Sequence, residues 1–207
     1  MACVFSWFAP LRTGRHHMNY RWRTVDIVVA SVLGVAFGVV FWAWYLFYSG
    51  PADAFPLPGK AILYGVWLVP AVLGALIIRK PGAAVYTELI AAIVSALLGN
   101  SWGWTVIPQG LLEGLGAELV FLALMYRSFN LVTAALAGAA AGAAATIFDA
   151  IVWYPGYSWA SFRIPYIALA ALGSAIVAGI GGWALTRALA QTGALDRFPS
   201  GRERTLI

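Results

Sequence analysis

Four carboxylate side chains lie inside strongly apolar stretches of the sequence: Glu88, Glu113, Glu118 and Asp149. A carboxylate in such surroundings costs several kcal/mol unless a proton, a cation or hydrogen-bond donors compensate its charge. Only one basic residue, Arg163, lies near them on the side of Glu113 and Asp149. We therefore expect Glu113 and Asp149 to contact a cationic ligand. The alternative for each is a protonated carboxyl group bonded to a neighbouring helix, which we prefer for Glu88.

The sequence carries no recognisable catalytic or metal-binding constellation. Glu113 and Glu118 are five residues apart, which places them about 140° apart around an ideal helix, so paired acid and base catalysis is not expected. No phosphate-binding G-x-x-x-x-G-K-[ST] loop, G-x-S-x-G turn or H-E-x-x-H pair occurs. The single Cys3 excludes an internal disulfide, and His16 and His17 lack partners at metal-ligand spacing. We predict neither an enzyme nor a cofactor.

Six apolar stretches must position these acids. They cover roughly residues 25–48, 60–78, 83–99, 107–126, 131–152 and 164–190, and each approaches the ~20 residues that span a bilayer. The chain is 62% hydrophobic and 10% charged, far from the composition of a soluble domain. The sequence therefore predicts an all-α, polytopic bundle of six transmembrane helices over residues 21–190. Residues 1–20 and 191–207 are expected to form cytoplasmic tails.

The basic residues orient this bundle. With the N-terminus inside the cell, 11 of the 13 Lys and Arg residues fall on the cytoplasmic side, and only Lys60 and Arg163 fall outside. Both termini are therefore predicted to be cytoplasmic in a multi-pass protein of the cell membrane. The net charge of +5 then points to the anionic inner leaflet of the lipid bilayer, and no nucleic acid is needed to explain it.

Aromatic residues show the opposite asymmetry. Of the 19 Trp and Tyr residues, 13 fall in the outer half or outer loops: Trp42, Trp44, Tyr45, Tyr48, Tyr64, Trp67, Trp102, Trp104, Trp153, Tyr154, Tyr157, Trp159 and Tyr166. An interfacial belt explains some of them, but a belt should populate both interfaces. The excess indicates an outward-facing pocket suited to a planar ring or a cation. Asn100 and Gln109 offer neutral polar groups at the same level, or act as loop and cap residues.

A stripe of small residues on the first helix, formed by Ala30, Gly34 and Gly38, permits close approach of another helix. Packing within the bundle explains such a stripe, as it explains the LAGAAAGAAA segment at 136–145. For the first helix we favour contact with another protein, for the reason given by the family resemblance below.

Several strings together resemble the thiamine/hydroxymethylpyrimidine S components of energy-coupling-factor (ECF) transporters, of the YkoE type. The resemblance covers roughly residues 22–187. Its strings are DIVVASVLGVAFGVVFWAW at 26–44, LYGVWLVPAVLGALIIRKPGAA at 63–84, TELIAAIVSALLGNSWG at 87–103, EGLGAELVF at 113–121 and WYPGYSW at 153–159.

The resemblance implies a substrate-capture subunit of an ABC importer. It would bind thiamine or its hydroxymethylpyrimidine moiety from outside and dock, through Ala30, Gly34 and Gly38, onto a transmembrane coupling (T) subunit driven by cytoplasmic ATPase subunits. The thiazolium of thiamine is a cation and its aminopyrimidine is planar. We accordingly predict a substrate site with Glu113 and Asp149 for charge, Trp42, Trp102 and Trp153 for stacking, and Tyr64, Asn100 and Tyr154 for polar edges.

Two other interpretations stay open from the sequence. One is a self-sufficient proton-coupled carrier of a small cationic or aromatic solute, in which Glu88, Glu118 and Asp149 relay protons. The other is an intramembrane enzyme or a structural subunit. Phosphorylated forms of the vitamin fit poorly, because Lys60 and Arg163 are the only outer cations.

Overall fold

The computed structural model describes residues 20–202, and every regular element within that range is a helix. The α-helices are α1 (Thr24–Tyr48), α2 (Val69–Ile78), α3 (Ala83–Leu97), α4 (Val106–Ala123), α5 (Leu131–Val152), α6 (Ile164–Ser174), α7 (Gly182–Gln191) and α8 (Pro199–Arg202). The all-α prediction is confirmed for this range. Most of the predicted N-terminal tail, and residues 203–207, lie outside the described residues.

Shorter 3₁₀ and π segments extend several of these helices. The 3₁₀ segments Gly59–Leu68 and Gly103–Thr105 lead directly into α2 and α4, and a further 3₁₀ turn covers Pro51–Ala54. The π segment Trp159–Arg163 leads into α6, and the π segment Ala175–Gly181 joins α6 to α7, so Trp159–Gln191 is one continuous rod.

Five of the resulting rods are long and apolar enough to cross a membrane: Thr24–Tyr48, Gly59–Ile78, Gly103–Ala123, Leu131–Val152 and Trp159–Gln191. The remaining apolar helix, α3, has 15 residues. At 1.5 Å per residue it measures about 22 Å, less than the ~30 Å of hydrocarbon in a bilayer. All six predicted apolar stretches are therefore helical, and five of them have spanning length.

The rods alternate in direction, which gives the bundle two chemically different ends. At the basic end α1 begins, and Lys80, just after α2, donates a hydrogen bond from Nζ to the carbonyl of Arg21 at 2.7 Å. At the aromatic end α1 finishes, and Trp44 Nε1 donates to the carbonyl of Leu63 at 3.2 Å. The described chain starts and finishes at the basic end, where the guanidinium of Arg23 donates to the carbonyl of Arg197 at 3.3 Å.

The small-residue stripe of α1 faces the protein's own α3. A Cβ atom built on Gly34 would lie 2.7 Å from Ile90 Cβ, and one on Gly38 would lie 2.5 Å from Val94 Cβ. Ala30, next along the stripe, is fully buried. In this conformation α3 lies against Gly34 and Gly38, and the predicted use of Ala30, Gly34 and Gly38 as a contact for the coupling subunit stays a prediction.

Two of the four carboxylates inside the apolar stretches bind the first turns of other helices. Glu118 accepts hydrogen bonds from the backbone N–H groups of Gly82 at 2.6 Å and Ala84 at 2.9 Å, and from the hydroxyl of Tyr126. Glu88 accepts from the backbone N–H of Ala71 at 2.9 Å, where the 3₁₀ segment changes into α2. The first N–H groups of a helix lack intrahelical partners and favour negative charge. Glu118 and Glu88 thus stabilise the starts of α3 and α2.

A charged cluster closes the basic end. The carboxylate of Asp26, which is fully buried, accepts hydrogen bonds from Lys80 Nζ at 2.5 Å and from the Arg23 guanidinium at 2.9 Å. The hydrogen bond to Asp26 raises the pKa of the Arg23 guanidinium. The described part of the predicted C-terminal tail contains Leu195 and Phe198. Both side chains are buried against α2. That part of the tail therefore packs on the bundle.

Candidate substrate site

A cavity of about 320 Å³ opens at the aromatic end of the bundle. It is built by α1, by the 3₁₀ segment Gly59–Leu68, by α3 with the loop that follows it, and by α4, α5 and α6. Its lining consists of Phe41, Tyr48, Tyr64, Trp67, Ala92, Ser95, Asn100, Trp102, Val106, Gln109, Glu113, Asp149, Trp153, Tyr154 and Tyr166. Every long rod contributes to it, so the whole bundle shapes one site.

The aromatic rings of the lining support one another edge to face. Trp67 lies at the centre, with its ring 4.8 Å from that of Tyr48, 5.4 Å from that of Tyr64 and 5.7 Å from that of Trp102, at interplanar angles of 67–77°. Such pairs place the positive edge of one ring on the negative face of the next, the favoured geometry. The interlocked rings form a rigid wall.

Asp149, near the end of α5, is the acid on one side of the cavity. The hydroxyl of Tyr64 donates a hydrogen bond to Asp149 Oδ2, and the hydroxyl of Tyr166 donates to the same oxygen at 3.0 Å. Donors of this kind stabilise a carboxylate in an apolar environment. Asp149 is 4% exposed, so this lining residue is a buried acid.

Glu113, on α4, is the second acid of the lining, and it is 5% exposed. Its carboxyl group interacts with the side chain of Gln109, one turn earlier on α4, and with Glu88 of α3. Oxygen Oε1 of Glu88 has no hydrogen-bond donor within residues 20–202. Two neighbouring carboxyl groups in an apolar site are compatible when they share a proton or when a cation lies beside them. Glu113 and Glu118 do not converge, in agreement with their spacing.

The loop after α3 brings a polar edge to the cavity. Asn100 Nδ2 donates to Ser95 Oγ at 3.0 Å, whereas Asn100 Oδ1 is buried and has no partner in the part of the chain that the structure describes. Gly99 and Gly103 have φ values of 85° and 57°, a conformation that favours glycine and folds the loop tightly around Asn100. A buried acceptor without a donor is costly, so Asn100 Oδ1 is prepared to bind a donor of a ligand.

The loop after α5 covers the other side and is fixed by Arg163. The Arg163 guanidinium donates to the carbonyl of Tyr154 at 2.7 Å and to that of Pro155, and it lies 4.6 Å from the centre of the Trp159 ring. Burial raises the pKa of the Tyr154 phenol. Lys60, the other basic residue of this end, is paired with Asp53 at 2.5 Å. Neither cation lines the cavity.

Seven of the eight predicted site residues line this cavity: Glu113, Asp149, Trp102, Trp153, Tyr64, Asn100 and Tyr154. The exception is Trp42, which lies one residue from the lining position held by Phe41. Tyr48, Trp67 and Tyr166 also line the cavity; they belong to the outer aromatic group but not to the eight predicted site residues. For α1 the sequence does indicate which side faces the cavity, because the buried stripe of Gly34 and Gly38 continues at helical spacing to Phe41 and Tyr48.

Three comparisons relate the chain to membrane transport proteins. The family model described as "ABC-type cobalt transport system, permease component" matches residues 25–144. The HMP/thiamine permease protein YkoE of Bacillus subtilis (strain 168) is 37% identical over 183 residues, which cover 88% of this chain and 92% of that protein. A crystal structure of an S component of an ECF transporter superposes with a TM-score of 0.85 at 36% identity, covering 89% of this chain and 94% of the other.

These relatives are transport proteins, and the five long apolar helices identify a multi-pass membrane protein. The resemblance found in the sequence is thereby confirmed. The chain belongs to the YkoE family of permease proteins, the substrate-binding S components of ECF transporters.

Proposed function

We propose that the chain captures thiamine or its hydroxymethylpyrimidine moiety from outside the cell in the cavity at the aromatic end. The observation that carries this proposal is the composition of the lining, which combines a wall of aromatic rings with two buried acids, Glu113 and Asp149, and includes no basic side chain among residues 20–202. A planar cation is the kind of ligand that such a lining favours. The name of the Bacillus subtilis relative supports the same choice.

Each chemical group of thiamine has a complementary group in the lining. The positive thiazolium is suited to Asp149, whose Oδ2 is held by Tyr64 and Tyr166, or to Glu113. The amino group of the pyrimidine is a donor, and Asn100 Oδ1 is a buried acceptor without a partner among the described residues. The rings of Trp67 and Trp102 offer faces for stacking. We assign Trp153 and Tyr154 to the side of the site that the loop after α5 covers.

Two observations support an unphosphorylated ligand: the size of the cavity, and the fact that the nearby cations already have partners in the protein. About 320 Å³ is within the range of small-molecule sites. A phosphate group would need positive partners, and Lys60 and Arg163 are committed to Asp53 and to the carbonyls of Tyr154 and Pro155. Within residues 20–202 no group of three or more His, Cys, Asp or Glu side chains is arranged to hold a metal ion.

The topology that we propose has six membrane-crossing segments over residues 21–190, with both termini in the cytoplasm. These segments are the five long rods and the shorter helix α3. The alternating directions of the rods and the concentration of Lys and Arg at one end support it. Packing of α3 against α1 through Gly34 and Gly38 supports its place inside the bundle, where protein and not lipid surrounds much of its length. The tails 1–20 and 191–207 then lie in the cytoplasm.

The partners that we propose are a transmembrane coupling subunit and cytoplasmic ATPase subunits. The solved S component supports this at the level of the ECF transporter as a whole. In this scheme the chain binds its ligand without chemical turnover, and ATP hydrolysis by the partners supplies the free energy of import.

Titration of the purified protein with thiamine, hydroxymethylpyrimidine and thiamine phosphate tests the proposal, with tryptophan fluorescence and calorimetry as readouts. We expect saturable quenching by thiamine, and binding of thiamine phosphate weakened by at least about tenfold because its phosphate meets acids and no base. Binding of hydroxymethylpyrimidine equal to or tighter than that of thiamine would assign the site to the pyrimidine and remove the role of the acids as counter-charges. Absence of binding to all three by folded protein would contradict the proposal.

A further inference from the structure

Glu88 is fully buried on α3, behind the lining of the cavity at the aromatic end (the aromatic cavity). Ala92 and Ser95, about one and two turns further along α3, line that cavity, whereas Glu88 does not. Glu88 Oε2 accepts a hydrogen bond from the backbone N–H of Ala71 at 2.9 Å. Its other oxygen, Oε1, is also buried and has no donor within residues 20–202. The start of α2 therefore accounts for only one of the two oxygens of Glu88.

The side chain that Glu88 meets is that of Glu113 on α4, and the two carboxyl groups are hydrogen-bonded to each other. Close packing of the two helices holds this pair together. A Cβ atom built on Gly114, next to Glu113, would lie 2.7 Å from Val85 Cα and 3.3 Å from Glu88 Cβ. The packing of the backbones therefore keeps two acids side by side, and only Glu113 belongs to the cavity lining.

A hydrogen bond between two carboxyl groups requires a proton, because ionised carboxylates offer only acceptors. Since Glu88 Oε2 already accepts from Ala71, Oε1 is the oxygen left to carry this proton and to donate it to Glu113. A protonated Oε1 needs no donor, which accounts for its lack of one among the described residues. Glu88 is then a neutral acid that holds the carboxyl group of Glu113 in place.

The helices around the pair supply no cation to it. Helix α2 carries no titratable side chain. Asp26 of α1 and Glu118 of α4 have their partners at the basic end. Besides Glu113, the titratable side chains that line the cavity within residues 20–202 are one acid and four phenols: Asp149, Tyr48, Tyr64, Tyr154 and Tyr166. Because a carboxylate without a positive partner is costly in apolar surroundings, the pair favours its protonated form until a cation arrives.

We propose, on the basis of the thiamine site proposed above, that Glu88 and Glu113 form a proton-exchanging pair, in which both acids are protonated before the ligand binds and the arriving cation displaces the proton of Glu113 into water. The bound state pairs the thiazolium with the carboxylate of Glu113, to which Glu88 still donates its O–H. A nearby cation and a donated hydrogen bond both favour the ionised form of an acid. One positive charge enters the site and one leaves it. Glu88 is a positioning residue that acts through Glu113.

Calorimetric titration of the detergent-purified full-length protein with thiamine, near neutral pH in buffers of different ionisation enthalpy, counts the protons exchanged on binding. We expect about one proton released per thiamine bound, and an affinity that rises with pH by up to about tenfold per pH unit. Glu113→Gln should release less than about 0.2 proton. Glu118→Gln changes a buried acid of the same helix outside the cavity lining, and this matched control should release as many protons as the wild type.

Two substitutions test the role of Glu88. In Glu88→Gln the side-chain amide can accept from the Ala71 N–H and donate to Glu113, whereas Glu88→Met has a similar size and does neither. Near neutral pH, we expect Glu88→Met to bind thiamine at least about tenfold more weakly than Glu88→Gln. The difference should shrink as the pH rises, because a higher pH ionises Glu113 without a donor. A purely structural role of Glu88 lowers the affinity equally at every pH.

The outcomes separate this exchange from the vitamin site itself. Thiamine binding without proton release, or with a release that Glu113→Gln leaves unchanged, overturns the exchange while the thiamine site stands. Absence of thiamine binding by folded protein contradicts the site and the exchange together. If Glu88→Met does not fold, infrared spectra of the thiamine complexes test Glu88: the C=O band of a protonated carboxyl group should be present in the wild type and lost in Glu88→Gln, and equal bands overturn its role.

Discussion

The hydroxyl group of Tyr64 donates a hydrogen bond to the carboxylate of Asp149, although the two residues are 85 positions apart in the chain. Tyr64 belongs to the 3₁₀ segment before α2, and Asp149 lies near the end of α5. Because the hydroxyl of Tyr166 donates to the same oxygen, Asp149 is held in one orientation at the side of the aromatic cavity. This arrangement suits an acid that binds a cation and does not itself react.

The first prediction concerns the two acids. We expect Asp149→Asn and Glu113→Gln each to weaken thiamine binding about tenfold or more, because each change removes a negative charge from a buried site while preserving shape. Hydroxymethylpyrimidine, which lacks the thiazolium, should lose much less. Calorimetric titration of both ligands measures the difference. Glu118→Gln is the control, since Glu118 caps α3 and does not line the cavity. Equal losses for both ligands would argue against a counter-charge.

The second prediction separates two neighbouring aromatic residues of α1. Phe41 lines the cavity and is 4% exposed, whereas Trp42 does not line it. We expect Phe41→Ala to reduce ligand affinity by about 1–3 kcal/mol, because a wall of the site is lost, and Trp42→Ala to change it by less than about 0.5 kcal/mol. Fluorescence or calorimetric titration compares the variants. A larger effect at Trp42 would restore the original prediction and contradict the orientation of α1.

The position of Trp42 outside the cavity lining shows which feature of this protein is hard to predict from the sequence. The six apolar stretches predict the helices because length and hydropathy suffice for that purpose. The depth in the membrane that the sequence assigns to Glu113, Asp149 and Trp102 predicts that these residues lie at the same end of the bundle. Rotation about the axis of α1 is harder to predict, because this helix is apolar on all sides and only the spacing from Gly34 and Gly38 to Phe41 distinguishes its buried side. In the structure, the close approach of Gly38 to Val94 shows that this side of α1 faces the bundle.

Contacts between distant segments also explain what the sequence could not reveal about the acids. Glu118 caps α3 through Gly82 and Ala84, 36 and 34 residues away. Local cap signatures involve residues three or four apart and therefore do not report this arrangement. The 3₁₀ conformation of Gly59–Leu68 likewise lacks a local signal, although it brings Tyr64 and Trp67 to the cavity wall.

The third prediction tests the seam between α1 and α3. We expect Gly38→Ala to destabilise the protein by about 1–3 kcal/mol, because its new Cβ would lie 2.5 Å from Val94 Cβ and the helices must separate. Gly59→Ala is the matched control, since a Cβ at Gly59 meets no atom within 4 Å. Thermal unfolding in the same detergent measures both variants. A neutral Gly38→Ala variant would show that α1 and α3 are not closely packed in the isolated protein.

The fourth prediction concerns the buried ion pair between Asp26 and Lys80. Lys80→Met leaves the buried Asp26 with the half-exposed guanidinium of Arg23 as its remaining cation, so we expect it to cost about 1–3 kcal/mol of stability. The double variant Asp26→Asn with Lys80→Met should recover part of that loss, because no buried charge remains unpaired. Asp53→Asn is the comparison for an ion pair with an exposed carboxylate, and it should cost less than about 1 kcal/mol. Chemical unfolding of the wild-type protein, Lys80→Met, Asp26→Asn and the double variant measures the coupling, with Asp53→Asn unfolded under the same conditions. If the losses of the single variants simply add in the double variant, then Lys80 and Asp26 contribute independently, and the basic end is held by its apolar contacts around Leu195 and Phe198.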